Sequence, residues 1–186
     1  DNPSSIVAGG PIAADCHNFG AGPLKTGTPV IVDVFPTNKA SRYCGDCTRT
    51  VVHGDIPDEV ARMHAAVGLA KRVGIEATRA GVTGESVHKA TIGSISSSGY
   101  SVGIPGSEEA DTYCGMTHGT GHGIGLEVHE PPLLDFRGPE LLVGDALTIE
   151  PGLYIDEKDK TAPKKYRGIG IRIEDDVLVT PEGREN

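Results

Sequence analysis

The chain has 186 residues, 37% hydrophobic and 23% charged, which fits one domain or two small ones with a buried core and excludes wholesale disorder. Its 17 Lys and Arg against 26 Asp and Glu give a net charge of −9, aromatics are 4%, and there is no Trp. Neither the basic footprint nor the stacking platform of a nucleic-acid binder is present. No stretch has the apolar length to span a bilayer, and no secretory signal is read at the start. The expected partners therefore include neither nucleic acid nor membrane. The 26 Gly and 13 Pro make up about a fifth of the chain without a collagen period, which means many turns and strand ends.

Residues 28–36 are β-branched and bounded by prolines, so they read as a strand. Residues 37–42 form a polar turn and 43–52 a second strand, giving a β-hairpin. Pro57 opens a helix with Asp58 and Glu59 in its first turn, where the dipole favours acids. Val60, Met63, Val67 and Ala70 recur at helical spacing, and Gly81 ends the segment. A second helix runs from near Gly84 to about Ser97. Residues 99–115 read as loop. Three short β pieces follow at 116–121, 145–150 and 170–179. Strands, two helices and strands again predict an α+β domain with layered packing.

The cysteines are Cys16, Cys44, Cys47 and Cys114. Cys44 and Cys47 form a lone C-x-x-C, a weak zinc or redox signal. On a strand they would point to opposite faces, so they read as structural thiols. Reduced cysteines fit a cytoplasmic protein.

Strand parity brings the chemistry into view. Ile31, Asp33 and Phe35 share one face of the first strand, and Cys44, Asp46, Thr48, Thr50 and Val52 share one face of the second. Either Asp alone reads as a hydrogen-bonded turn acid. Two of them on paired strands repel unless a cation lies between them. Next come His118, His122 and His129 within a glycine-rich run, where glycines exclude a good helix and allow close backbone approach. Glu150 stands at a strand end, and Glu174 lies between apolar neighbours. Either could instead be an ion-pair partner of Arg172 or Arg49. Taken together, Asp33, Asp46, His122, Glu150 and Glu174 suit two dications sharing bridging carboxylates, because four acids balance two M²⁺. Such a donor set selects Mn²⁺, Co²⁺, Fe²⁺ or Zn²⁺ over Cu(I). Two adjacent metals that hold a bridging hydroxide and polarise a carbonyl form a hydrolase design.

The motifs GDCTRT at 45–50, HGTGHGIGLEVHE at 118–130, EPGLY at 150–154 and IRIEDDVLVT at 171–180 resemble the pita-bread metallopeptidases. That family includes methionine aminopeptidase, aminopeptidase P and prolidase. The likeness runs from about Ile6 to Thr180 and is greatest to the Xaa-Pro branch. It implies a pita-bread fold, an antiparallel curved sheet backed by helices and built as two αβ halves. It also implies one catalytic domain over 1–186, with the family's first helices and its N-terminal domain outside this sequence. The implied activity is dinuclear metal-dependent hydrolysis of Xaa-Pro bonds, with proline at P1′ of a peptide substrate. The implied cofactors are two divalent ions, Mn²⁺ foremost, and the resemblance also implies a homodimer as an assembly open to the full-length protein.

Carried over by motif, Asp33 would ligate the first metal, Asp46 and Glu174 would bridge, and His122 and Glu150 would complete the second. Glu150 would also pass protons. His118 and His129 resemble the histidines on the scissile carbonyl side, His17 resembles a substrate-contacting histidine, and Arg172 resembles a residue that orients carboxylates. Two departures stand out. Val-Phe-Pro follows Asp33 where the family often has a small residue, and the spacing from Asp33 to Asp46 implies a longer hairpin turn. The rival expectations are a non-catalytic protein-binding scaffold, a creatinase-like non-metal hydrolase and a methionine aminopeptidase-like enzyme. The complete ligand set opposes the first two.

Overall fold

A computed structural model describes residues 4–103 and 115–186. Cys114 and most of the segment read as loop at 99–115 lie outside them. The first strands are β1 (Ser5–Gly9), β2 (Pro29–Val34) and β3 (Cys47–Val52), which form an antiparallel sheet in that order. Asp33 pairs with Thr48 across β2 and β3. The expected parity holds, because Ile31, Asp33 and Thr48 are buried and Phe35 packs on the same cluster as Ile31. The second strand is shorter than the expected 43–52. The hairpin continues outward through a Gly45 N–H to Pro36 O bond and a bridge at Thr37 and Cys44. The Cys44 amide, however, donates to Gly125 O and the Asp46 amide to the Asp176 carboxylate, which interrupts the ladder. The two thiols have separate partners, Leu126 O for Cys44 and Glu174 O for Cys47.

Helix α1 (Asp58–Ala77) buries Val60, Met63, Val67 and Ala70 as the spacing requires. It stops before Gly81 because Thr78 turns extended and its hydroxyl donates back to Gly74 O at 2.9 Å. Helix α2 (Gly84–Ser97) has the expected bounds, and the Thr83 side chain caps it by accepting the Ser86 N–H. Such a cap satisfies one of the donors a helix start leaves unpaired.

The remaining strands are β4 (Ser101–Val102), β5 (Gly115–Met116), β6 (Gly121–Gly123), β7 (Glu130–Leu134), β8 (Ala146–Ile149), β9 (Gly152–Ile155), β10 (Ile169–Arg172), β11 (Asp175–Thr180) and β12 (Gly183–Glu185). They form one sheet ordered β10-β9-β5-β4 and another ordered β12-β11-β8-β6-β7. The pairings are antiparallel except the short β4 with β5, which is parallel. The pieces expected as single strands at 116–121 and 170–179 are each split, because the chain crosses between sheets there. β5 and β10 pair with β9, whereas β6 and β11 pair with β8. β8 and β9 are likewise separated by Glu150 and Pro151 at a crossing. β7 carries Pro131 and Pro132, and it tolerates them because it lies at a sheet edge.

Alternation along the strands decides which side faces the helices. Leu153, Ile155 and Ile171 pack with Val60, Met63 and Val67 of α1 in one core, while Leu147 and Ile149 pack with Val87 of α2 in a second. Tyr154 and Arg172 alternate to the opposite side, where Tyr154 joins Ile6 and Ile31. The helices thus back the sheets, and the polar residues collect on the other face.

Candidate metal centre

A cavity of about 540 Å³ opens on that face, and all nine residues singled out from the sequence line it: His17, Asp33, Asp46, His118, His122, His129, Glu150, Arg172 and Glu174. Asp33 comes from β2, Asp46 from the residue before β3, and His122 from the middle of β6. Glu150 and Glu174 stand at two of the sheet crossings. There the backbone leaves one ladder before joining the next, so the Glu150 amide donates to Thr120 O and the Glu174 amide to Thr48 O. The glycine run beside His122 serves close packing. A Cβ at Gly121 would lie 1.8 Å from Thr148 O, so only glycine lets β6 approach β8 here.

One ligand atom from each of Asp46, His122 and Glu174 falls within 4.8 Å of the others. His122 Nε2 is 3.4 Å from a Glu150 oxygen and 3.9 Å from an Asp46 oxygen. Its Nδ1 lies 3.0 Å from Gly123 O. That contact assigns the proton to Nδ1 as a donor and leaves the Nε2 lone pair facing the carboxylates. Burial holds the His122 pKa down at about 4, so the ring is neutral, as a ligand must be.

Asp33 uses one oxygen to accept from Arg172 Nη2 at 2.6 Å, while its Oδ1 is buried with no partner. Asp46 Oδ1 is equally orphaned. Glu174 accepts from the Thr48 hydroxyl at 2.7 Å. Burial and then the Glu174 charge push the Asp46 carboxyl up to about 8. Burial likewise lifts Glu150 to about 8 and Glu174 well above the usual carboxylate range. Orphaned buried carboxylate oxygens, held at proton-retaining values by desolvation and mutual repulsion, are what a dication would relieve. The residues therefore fit an oxygen-rich metal centre with one imidazole.

Arg172 reaches several partners at once. Besides Asp33, it donates from Nη1 to the Tyr154 hydroxyl at 2.9 Å and to Cys16 O at 3.1 Å, and from Nε to Thr48 at 3.3 Å. The alternative pairings left open by the sequence resolve otherwise: Arg172 takes Asp33, and Arg49 takes Asp175. Tyr154 passes the chain on, since its hydroxyl lies 2.9 Å from His118 Nε2. His118 Nδ1 faces Gly119 O at 2.8 Å, so Nδ1 donates and Nε2 accepts from the phenol. Burial keeps this ring neutral, with its pKa down at about 4. His129 is exposed, its ring packed edge-on 4.2 Å from that of His122. His17 is also exposed, at the rim. Tyr154 and Thr48 had no assigned role in the sequence reading. Both lay on the parity of a named ligand, Tyr154 with Glu150 and Thr48 with Asp46, and that was the available signal.

The raised carboxyls give a signed expectation for the metal-stripped chain. In the unfolded chain, Asp46 and Glu150 ionise near pH 4. The folded, metal-free site holds both protonated until about pH 8. Their effect on folding is neutral below pH 4 and increasingly unfavourable as the pH rises from 4 towards 8. Melting curves of the stripped chain should show a Tm that falls over this window, with the Mn²⁺-induced rise in Tm larger at pH 8 than at pH 5. An Mn²⁺-induced rise that is equal at both pH values would contradict it.

Residues 2–181 match the model of metallopeptidase family M24. The chain is 34% identical to Xaa-Pro aminopeptidase 1 of Streptomyces coelicolor over 193 aligned residues, which cover 98% of this chain and 39% of that protein. Among solved structures, it superposes on the prolidase from Pyrococcus furiosus with a TM-score of 0.80 at 30% identity, covering 98% of this chain and 48% of that one. It superposes on the Xaa-Pro dipeptidase from Bacillus anthracis with a TM-score of 0.80 at 35% identity, covering 98% and 45%. The fold is thus the pita-bread fold implied by the motifs. The chain spans about two fifths of the length of the curated relatives it matches.

Proposed function

The chain belongs to metallopeptidase family M24, and on that premise we propose that it is the catalytic portion, over 1–186, of a metal-dependent exopeptidase that hydrolyses Xaa-Pro bonds. The observation that carries this reading is the meeting of four carboxylates and one neutral imidazole in one cavity, with Asp33 Oδ1 and Asp46 Oδ1 buried and unpartnered. Asp33 would hold the first ion, Asp46 and Glu174 would bridge, and His122 and Glu150 would complete the second. Two dications bound there would supply ionised water at neutral pH and polarise the scissile carbonyl.

The chain's own residues do the rest. Arg172 fixes the Asp33 carboxylate. Glu150, kept proton-competent by burial, takes and returns a proton at its carboxyl. His129 and His17 at the rim meet the substrate, and His118 lines the carbonyl side while anchored by Tyr154. Ile6, Phe35, Val128 and Leu133 give the cavity an apolar wall that accepts a proline ring. Mn²⁺ suits the oxygen-rich donor set, and Co²⁺, Zn²⁺ and Fe²⁺ are workable. Cys16, Cys44 and Cys47 are free thiols, in keeping with a cytoplasmic setting. Among the described residues no helix is long and apolar enough to cross a membrane.

The test is to titrate Mn²⁺ into the metal-stripped protein and then assay Xaa-Pro dipeptides and longer Xaa-Pro peptides. About two ions per chain and EDTA-sensitive cleavage before proline are expected. Absence of saturable binding would overturn the reading and favour a scaffold.

A further inference from the structure

β3 and β11 belong to different sheets, so no continuous ladder holds Asp46 and Glu174 together. Their carboxylates nonetheless face each other. The contacts that hold the two segments in place come from the two acids after Glu174, on opposite faces of β11. Asp176 accepts the backbone N–H of Asp46 at 3.2 Å. Asp175 accepts from Arg49 Nη2 at 2.6 Å and from Lys71 Nζ of α1, and the Lys71 and Asp175 side chains are only 16% and 18% exposed. Arg49 also donates through Nη1 to the carbonyl of Glu174 itself and to that of Thr48. Backbone and side-chain bonds thus stitch the Asp46 turn, β3 and α1 to the residues flanking Glu174.

We propose that Lys71, Arg49, Asp175 and Asp176 are positioning residues that hold the Asp46 and Glu174 carboxylates at bridging distance, so that the site is formed before metal binds. This rests on the dinuclear metal centre proposed above. None of the four lines the cavity, so they act through the ligands rather than on substrate. Lys71 makes the backing helix part of the site: loss of its charge leaves Asp175 held by a single, half-exposed Arg49.

The test is a Co²⁺ titration of the metal-stripped protein, read by the visible absorption of the bound ion. Lys71→Met and Asp176→Ala should each weaken Co²⁺ binding by about 10–100-fold, the range for partners that orient metal ligands, and should alter the spectrum. Lys71→Arg keeps the cation and Asp176→Asn keeps an acceptor oxygen, so both should return affinity and spectrum towards wild type. Circular dichroism checks folding, and Lys71→Gln replaces Lys71→Met if that variant does not fold. Wild-type affinity and spectrum in Lys71→Met and Asp176→Ala would overturn the proposal, as would folded conservative variants that restore nothing. If the wild-type chain itself takes up no Co²⁺, the metal-centre reading falls and this one with it. Wild-type binding with indifferent variants sinks this inference alone.

Discussion

Glu150→Gln is expected to lower kcat for Xaa-Pro hydrolysis by about 10²–10⁴-fold, the general range for an acid–base group. The amide keeps the size and planar shape of the carboxyl but can neither take nor release a proton in the working pH range. The site favours such a role for Glu150. Burial raises its carboxyl to about 8, with Asp46 and Asp33 adding to the rise against the pull of Arg172. Its oxygen stands 3.4 Å from His122 Nε2, and its amide is tied to Thr120 O, which fixes the backbone at the sheet crossing. Since Gln keeps these backbone ties, circular dichroism of the variant should match wild type. Steady-state kinetics at saturating Mn²⁺ separate the roles. A fall in kcat with KM little changed marks a proton-handling group. Near-normal turnover would refute the role, and activity regained simply by adding more Mn²⁺ would reduce Glu150 to a ligand alone.

The site was more legible in the sequence than the sheets that hold it. Asp33 announced itself because an acid among Val, Ile and Phe is costly unless paired, Asp46 because it is a second acid on the partner strand, and period-two alternation needs no tertiary information. The approximate bounds expected for helix α2 match its Gly84–Ser97 span, since its start is set locally by the Thr83 cap. The strand breaks at Thr117–Thr120 and Ile173–Glu174 were not legible, because a crossing between sheets depends on which distant strands take up the amides. In Ile-Arg-Ile-Glu-Asp-Asp-Val, nothing local says that Arg172 pairs with β9 and Asp176 with β8. β7 was hidden by its two prolines, which an edge strand accepts and a central one does not. The Lys71–Asp175 pair was hidden by distance along the chain. A charged residue in a helix ordinarily reads as a solvated face, and only the packing of α1 against the sheets brings it to Asp175.

Asp46→Ala should have effects of opposite sign on function and on the metal-free fold. Asp46 is the carboxylate on which the cluster converges, with its neighbours Glu174, Asp33 and Asp176 all raising its pKa after burial itself. Removing it takes away a proposed bridge and leaves three acids for two ions, so Mn²⁺ uptake should fall from about two ions per chain to one or fewer, with hydrolysis lost. The same substitution removes a desolvated carboxyl whose Oδ1 has no partner. An unsatisfied buried polar group costs about 1–3 kcal/mol, and about 1 kcal/mol moves Tm by roughly 2–4 °C at this chain length. The metal-stripped Asp46→Ala chain should therefore melt a few degrees above metal-stripped wild type at pH 8. The difference should shrink towards pH 4, where the unfolded chain no longer ionises the carboxyl. Adding Mn²⁺ should reverse the order, because wild type gains more from the ions. A residue that served stability alone would lower Tm when removed, with metal or without it. That outcome would place Asp46 in the packing of the hairpin and outside the metal centre.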